Sequence, residues 1–418
     1  MLHILHTADW HLGQHFFGYD RSAEHEHFLN WLAEQIGTHA IDVLLIAGDV
    51  FDVSNPSASS QRMFYRFINK VTRENPHLQI IVVAGNHDSA ARLEAPSPLL
   101  ESIRVSVKGI IRKHENTVDW DDLILSLYNR QGEAEALCLA VPYLRQGDYP
   151  VIETTGNPYS EGVREFYKQL ITRAVELRNP SQALIAMGHL QATGSEIAEK
   201  DYSERTIIGG LESVSPDVFD EHVSYVALGH IHKSQRVSGR EHIRYAGSPL
   251  PMSFAEKNYH HGVVLVTVEN GKLSSLDRIE YIPLVGMVSV PAVHAATPAE
   301  VKELLLALPE QDSSSEAPYL EVKVLLEEPE PMLRQELEEI LADKNVRLTR
   351  IVTSFRQSEG TFSEDEIMTV GLQGMTPLDI VKSTFEKTYQ TEMPDRLLDL
   401  FREAYLSLEI GNEEEGRL

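Results

Sequence analysis

The stretch VLLIAGDVFD at residues 43–52 is a short apolar run that ends in glycine and two aspartates. Consecutive aliphatic residues bounded by glycine indicate a buried strand, and the polar residues after them indicate a loop at the sheet edge. Ligands of open α/β sheets bind beyond the carboxyl ends of such strands. The loop that carries Asp49 and Asp52 is therefore predicted to border a binding site.

The same pattern recurs four times along the chain. Further strands are predicted at residues 3–6, 79–84, 183–187 and 223–228. The segments after these strands carry the other candidate site residues: Asp9, His11, Asn86, His87, Asp88, His189, His230 and His232. Carboxylate, amide and imidazole groups together suit a pair of divalent ions such as Mn²⁺, Fe²⁺ or Zn²⁺. The sequence thus predicts a site for two metal ions.

The spacing of these residues is consistent with such a site. Asp9 and His11 are two residues apart, so their side chains point the same way on an extended segment, and the pair at 230 and 232 repeats this spacing. Asp49 is predicted to bridge the two ions because it follows the most central strand. Asn86 can bind through its carbonyl oxygen without adding charge. His87 follows directly and is predicted to face the substrate.

The ordered series Asp-x-His, Gly-Asp-x-x-Asp, Gly-Asn-His-Asp, Gly-His and Gly-His-x-His resembles the calcineurin-like metallophosphoesterases. The surrounding sequence is similar to the SbcD nuclease subunits of bacterial SbcCD complexes, through LHTADWHLG at 5–13, ALGHIH at 227–232 and YAGSP at 245–249. One such motif is weak, whereas the whole series in order is specific. The resemblance implies an α/β fold: a four-layer sandwich of two mixed β-sheets flanked by helices, with a small α/β capping domain and C-terminal helices.

The resemblance also assigns roles to residues. One ion would be held by Asp9, His11, Asp49 and His232. The other would be held by Asp49, Asn86, His189 and His230, and both are expected to be Mn²⁺. His87 would assist the leaving group in the transition state, with Asp88 orienting it. Archaeal and eukaryotic relatives carry histidine where Asp52 stands, so Asp52 is not given that histidine's role.

The activity implied is two-metal hydrolysis of DNA phosphodiesters in repair and recombination. It would comprise a 3′→5′ exonuclease on duplex ends, dependent on ATP hydrolysis by the partner SbcC, and an endonuclease on single strands and hairpins. The expected assembly is a heterotetramer with SbcC, containing a homodimer formed through helices of the N-terminal domain. Two alternatives remain at this point: a phosphodiesterase or nucleotidase for small phosphoesters, and a non-catalytic scaffold for an ATPase.

Four segments are predicted along the 418 residues. Residues 1–282 form the nuclease domain, 283–353 a β-α-β-α-β capping domain, 354–375 a linker, and 376–410 two short amphipathic helices. In the family this last segment binds the base of the SbcC coiled coil. The apolar positions predicted to make that contact, or else to pack on the chain itself, are Leu378, Val381, Phe385, Leu397, Phe401, Tyr405 and Leu408.

Composition bears on partners and location. The net charge of −26 opposes simple nucleic-acid binding, but much of the acid is C-terminal. Two local groups of basic residues, either DNA contacts or solvated surface, are Arg62, Arg66, Lys70 and Arg73, and Arg104, Lys108, Arg112 and Lys113. The family resemblance implies that helices of this region form a homodimer interface, so the apolar side of the first helix, with Phe64 and Phe67, is expected to meet a second copy. One cysteine precludes an internal disulfide, and no apolar run reaches the ~20 residues of a membrane span, so a cytoplasmic enzyme is expected.

Overall fold

A computed structural model describes residues 1–115, 117–196, 213–310 and 316–355, together with Lys382, Phe385, Pro394 and residues 396–398. The strands, in chain order, are β1 Leu2–Thr7, β2 His15–Phe16, β3 Tyr19–Asp20, β4 Val43–Ala47, β5 Gln79–Val83, β6 Val105–Lys108, β7 Lys113–His114, β8 Thr117–Val118, β9 Ile124–Tyr128, β10 Ala134–Ala140, β11 Ala183–His189, β12 Tyr225–Gly229, β13 Gln235–Val237, β14 Arg240–Tyr245, β15 His261–Glu269, β16 Lys272–Tyr281, β17 Met287–Val290, β18 Tyr319–Leu326 and β19 Arg347–Phe355. The helices are α1 Ser22–Thr38, α2 Ala58–Glu74, α3 Ala90–Glu94, α4 Ser97–Leu100, α5 Pro158–Leu177, α6 Pro298–Leu306 and α7 Leu333–Leu341.

Two six-stranded mixed sheets hold the predicted site strands. The first has the order β16-β15-β1-β4-β5-β6, in which β1, β4, β5 and β6 run parallel. The second has the order β13-β14-β12-β11-β10-β9, in which β10, β11, β12 and β14 run parallel. All five predicted strands are confirmed to within two residues at each end. Since parallel strands end at the same sheet edge, the loops after them lie side by side.

The two sheets pack face to face, with helices outside. The core between the sheets includes Val43 and Leu45 from one sheet and Ile185 and Met187 from the other. Helices α1 and α2 cover the outer face of the first sheet, and α5 covers the second. Each large aliphatic side chain buried in these layers stabilises the fold by about 1.5–3 kcal/mol. The predicted four-layer sandwich is therefore confirmed.

Helix α2 corrects one prediction about partners. Phe64, Phe67, Ile68 and Val71 are at most 4 % exposed and pack in the chain's own core. Trp10, between two predicted ligands, is fully buried among the same aromatic rings. The apolar side of α2 was expected to contact a second copy. This expectation is wrong, because the first sheet already covers that side.

The opposite side of α2 is polar. It borders an open groove of about 690 Å³, lined by Arg62, Tyr65, Arg66, Asn69, Lys70, Arg73 and Glu74. The second predicted basic group differs, since Lys108 and Arg112 both pair with the carboxylate of Asp122 at 2.7 Å. Of the two predicted basic groups, the one on α2 is therefore the better candidate for binding an anionic ligand.

A third sheet, β17-β18-β19, carries α6 and α7 and matches the predicted β-α-β-α-β order. A buried polar network joins it to the start of α1, the helix that covers the first sheet. The guanidinium of Arg21 is fully buried and pairs with Glu24 at 2.9 Å, while the hydroxyl of Tyr319 on β18 donates to the same carboxylate at 2.7 Å. Phe16, Phe254 and Tyr319 pack around this network.

Met1–Ser354 form one compact unit, and Phe355–Leu418 form a second. Of the predicted partner-binding residues, Phe385 and Leu397 are described, both are helical, and Leu397 is 42 % exposed. The other five fall outside the described residues: Leu378, Val381, Phe401, Tyr405 and Leu408. No helix in the described part of the chain has the length and apolar character needed to cross a membrane.

Candidate metal centre

Backbone hydrogen bonds join the loops that follow β1 and β4. The N–H of Asp9 donates to the carbonyl of Gly48 at 3.0 Å, and the N–H of His11 donates to that of Asp49 at 3.0 Å. The parallel pairing of β1 with β4 thus continues beyond the strand ends. As a result, Asp9 and His11 are held beside Asp49.

Two glycines permit this close approach. A Cβ at Gly85 would lie 2.1 Å from Oδ1 of Asp49, and a Cβ at Gly48 would lie 2.2 Å from Nδ1 of His189. Either contact is far inside van der Waals distance. Glycine at these positions therefore lets a carboxylate and an imidazole pack directly against neighbouring backbone.

Four of the seven predicted ligands have strained backbones. Their φ angles are positive: 54° at Asp9, 46° at His11, 47° at Asp49 and 101° at His230. Such conformations cost about 1–3 kcal/mol for a residue other than glycine and cluster at functional sites. Part of this cost is offset by contacts within the site, since the N–H of His230 donates to Oδ1 of Asp9 at 2.9 Å.

All seven predicted ligands converge on one place. Their ligand atoms form overlapping groups within 4.8 Å, one of Asp9, His11 and His232 and another of Asp9, Asp49 and His189. Oδ1 of Asn86 lies 2.9 Å from Nε2 of His189 and 3.0 Å from Nδ1 of His230. A third group joins His11, Asp52 and His87.

The residues present fit metal ions. Within the described residues, Oδ2 of Asp9 and Nε2 of His11 are buried without a hydrogen-bond partner, and Nδ1 of His11 lies 3.3 Å from Oδ1 of Asp52. Leaving a buried polar group unpaired costs about 1–3 kcal/mol. A divalent ion bound to these atoms would remove that cost, and a set of carboxylate oxygens, one amide oxygen and imidazole nitrogens suits Mn²⁺, Fe²⁺ or Zn²⁺.

The carboxylates and imidazoles of the site shift one another's pKa values. Burial lowers the pKa of His189, but the carboxylates of Asp49 and Asp9 outweigh burial and raise it to about 9. Burial also raises the pKa of Asp49, yet the facing imidazoles hold it well below its usual range. Near neutral pH a proton on His189 thus balances the negative charge, and a bound cation would displace that proton.

Two of the candidate histidine ligands turn Nδ1 towards an acceptor oxygen outside the predicted ligand set. Nδ1 of His189 lies 2.9 Å from the carbonyl oxygen of Ala47, and Nδ1 of His232 lies 2.9 Å from Oε1 of Glu256. An acceptor oxygen at Nδ1 favours the tautomer in which Nε2 carries no hydrogen and can bind an ion. Glu256 was not predicted, since it lies 24 residues after His232 and carries no motif.

Asp88 does not play the part predicted for it. Its carboxylate is 2 % exposed and accepts the backbone N–H groups of Val50, Phe51 and Gly85 at 2.9–3.1 Å. Burial and the charge of Asp49 raise its pKa to about 6 despite these bonds. The His87 ring is oriented instead by the backbone carbonyl oxygen of Asp52, 2.8 Å from Nδ1. Asp88 thus joins the loop after β4 to the loop after β5, because its oxygens accept hydrogen bonds from three backbone N–H groups of these loops.

A cation beside the centre also escaped prediction. The Arg145 guanidinium donates to the backbone oxygen of Asp88 at 3.2 Å and lies 5.4 Å from the centre of the Tyr143 ring. That ring in turn lies 6.2 Å from the ring of His189. Both residues follow β10, whose end at the same sheet edge was a signal that could have found them.

Comparison with known proteins agrees with this geometry. The family model for the calcineurin-like phosphoesterases matches residues 2–234, and a model described as the type 5 capsule protein repressor C-terminal domain matches residues 284–389. Proteins named as the SbcD component of nuclease SbcCD are similar over most of the chain. That of Rhodobacter capsulatus is 37 % identical over 357 residues, covering 83 % of this chain and 86 % of the relative. That of Escherichia coli is 32 % identical over 335 residues, covering 78 % and 79 %.

Proposed function

Because the chain belongs to the SbcD nucleases, a family of calcineurin-like phosphoesterases, we propose that it hydrolyses DNA as the catalytic subunit of an SbcCD-type complex in repair and recombination. Alone it would cleave single strands and hairpins, and with ATP hydrolysis by SbcC it would degrade duplex ends 3′→5′. The observation that carries this proposal is the convergence of all seven predicted ligands, with buried unpaired atoms among them.

Overlapping groups of candidate ligands support the proposed pair of Mn²⁺ ions. One group joins Asp9, His11 and His232, and Oδ1 of Asn86 contacts both His189 and His230. Asp9 also lies in a group with Asp49 and His189. Asp49 lies between His11 and His189, since its Oδ2 is 3.8 Å from Nε2 of the first and 3.3 Å from Nε2 of the second. Ions held by these residues would supply activation of a water nucleophile and stabilisation of the charge that develops on the phosphate.

The chain's own groups would supply orientation and proton transfer. The backbone N–H of His87 donates to Oδ1 of Asp49 at 2.9 Å, and its Nδ1 is held by the Asp52 carbonyl. Nε2 of His87 is then the ring atom left to face the leaving oxygen, where a positioned acid contributes about 10²–10⁴-fold. Arg145 would add positive charge next to the phosphate path.

Local charge supports a nucleic-acid substrate in spite of the acidic composition. The polar groove along α2 presents Arg62, Arg66 and Arg73 on one helix face. Lysine and arginine side chains on one face are the usual footprint of phosphate binding. We place duplex DNA along this face, rather than near Lys108 and Arg112, whose charges are paired.

The homodimer remains part of the proposal, with a different surface from the one first expected. Leu99 on α4 is 78 % exposed, and Ile103 just after it is 37 % exposed. These apolar side chains offer N-terminal-domain surface for a second copy, and sedimentation equilibrium of the purified chain measures its mass. A mass that stayed monomeric at every concentration tested would oppose this part of the proposal.

The function is tested with the purified chain and two substrates. We expect Mn²⁺-dependent cleavage of a hairpin oligonucleotide, which EDTA abolishes, and little hydrolysis of a 2′,3′-cyclic nucleotide. Preference for the cyclic nucleotide would instead indicate an enzyme for small phosphoesters. Cleavage of neither substrate by a preparation that binds Mn²⁺ would indicate a scaffold.

A further prediction concerns the C-terminal segment, proposed to bind SbcC. Truncation after Val370 is expected to leave Mn²⁺-dependent single-strand cleavage intact and to abolish co-purification with SbcC. The double change Phe401→Asp and Leu408→Asp should do the same, because burying an unpaired charge in an apolar interface costs several kcal/mol. This proposal rests on the apolar stripe in the sequence.

The control for that experiment is Met332→Asp. It introduces one aspartate at a residue of the first unit that is 55 % exposed. It should co-purify with SbcC normally. If the truncated chain kept SbcC, or lost its metal-dependent cleavage, the segment would belong to the chain's own core.

A further inference from the structure

Glu256 is a buried carboxylate whose two oxygens serve different partners. The residue is 1 % exposed and lies in a 3₁₀ helix, Phe254–Glu256. Oε1 lies 2.9 Å from Nδ1 of His232, and Oε2 accepts the backbone N–H of Met252 at 2.8 Å. An ionised carboxylate only accepts hydrogen bonds, so Nδ1 of His232 carries the hydrogen in this contact.

We propose that Glu256 is a positioning residue that holds His232 in the tautomer and orientation needed to bind a metal ion. This inference rests on the proposed two-metal nuclease function. With Nδ1 turned to Glu256, Nε2 is the nitrogen that His232 offers to the group it forms with Asp9 and His11. The rings of His11 and His232 are 5.3 Å apart, so a tilt of either ring would change that group.

Contacts from outside the site keep Glu256 in place. Nη1 of the buried Arg21 donates a hydrogen bond to the backbone oxygen of Pro251 at 2.7 Å. Nζ of Lys257 donates to Oγ of Ser289, on β17, at 2.8 Å. Phe254 packs with Tyr319, on β18. The segment at residues 251–257 is thus held by Arg21, at the start of α1, and by contacts to the third sheet, and these contacts fix the position from which Glu256 reaches His232.

The substitution Glu256→Gln separates this role from packing. The amide has nearly the same shape but one acceptor oxygen and one NH₂ donor. The N–H of Met252 is a fixed donor, so the amide oxygen is expected to remain with it, and NH₂ then faces Nδ1 of His232. A donor at Nδ1 favours the opposite tautomer, in which Nε2 carries the hydrogen and no longer binds a metal ion.

Isothermal titration with Mn²⁺ gives the first test. The wild-type chain should bind two ions, and Glu256→Gln should weaken one of them by about 10–100-fold, the range for partners of metal-bound histidines. The control Glu94→Gln changes another buried carboxylate, which accepts the N–H groups of Gly109 and Ile110 at 2.8 and 2.9 Å. It should leave both affinities unchanged. Unaltered affinities in Glu256→Gln would overturn the proposal.

The ¹⁵N resonances of the His232 ring give a second test that needs no bound metal. In the metal-free wild-type chain they should report hydrogen on Nδ1, and in Glu256→Gln on Nε2. Hydrogen on Nε2 in the wild type would overturn the proposal even if the variant failed to fold. If the wild-type chain bound no Mn²⁺, the proposed function would fail, whereas the ring resonances would still decide the role of Glu256.

Discussion

Replacing Asp49 with alanine is expected to abolish Mn²⁺ binding and DNA cleavage together while the chain still folds. Its Oδ2 lies between His11 and His189, one from each predicted ion site. Asp49 is the one residue that the predicted ligand sets assign to both ions. The losses are the contact with His189 and the hydrogen bond to the N–H of His87, the latter worth about 0.5–1.5 kcal/mol, and the fold should survive because both lie at the site and outside the apolar core. Relief of the repulsion from Asp9 and Asp88 opposes these losses.

Thermal unfolding with and without Mn²⁺ measures both parts of this prediction. At a metal concentration 100 times the dissociation constant, the wild-type chain should gain about 2.7 kcal/mol of stability for each bound ion, and Asp49→Ala should gain almost none. The control Asp121→Ala removes an exposed carboxylate that pairs with Arg173. It should keep the gain and the cleavage. Anomalous scattering from two ions in Asp49→Ala crystals would contradict the bridging role.

Changing His87 to serine is expected to separate chemistry from metal binding. The seven predicted ligands do not include His87, so both ions should still bind with little change in affinity. Cleavage should fall by on the order of 10²-fold or more, because no other group near the leaving oxygen would transfer a proton. Duplex affinity should change little, since most of it comes from contacts to phosphates.

Single-turnover cleavage of a labelled hairpin at saturating Mn²⁺, with a parallel binding assay, measures this effect. His114→Ser, on the short β7–β8 hairpin, is the matched control and should cleave normally. Near-normal turnover in His87→Ser would remove His87 from the mechanism. Loss of one ion would instead make it a ligand, as its place in the group with His11 and Asp52 would allow.

The strands and the ligand set could be predicted because both depend on local pattern. Runs such as residues 43–47 are apolar at every position, which suits a strand covered on both faces, and structure and prediction agree there. Each ligand directly follows such a run, and the shared sheet edge brings them together. The domain boundaries at 282 and 353 and the role of the C-terminal helices remain predictions.

The predictions for the apolar side of α2 and for Asp88 were wrong because the same sequence pattern occurs in two different structural environments. An apolar stripe on a helix shows that something covers it, but not whether the cover is the chain's own sheet or a second copy. For Phe64 and Phe67 it is the sheet. Likewise, Asp88 follows His87 directly, yet neighbouring residues on a tight loop point apart. Its oxygens therefore meet three backbone amides instead of the ring.

The sequence by itself predicted which residues would bind metal ions, and it determined in which order the strands carry them and which family the chain resembles. Only the tertiary structure decided what surrounds those residues. The pairing of Glu256 with His232 and the placing of Arg145 beside the loop of Asp88 join residues that are 24 and 57 positions apart. Such contacts leave no periodicity in the sequence, because the packing of separate elements creates them.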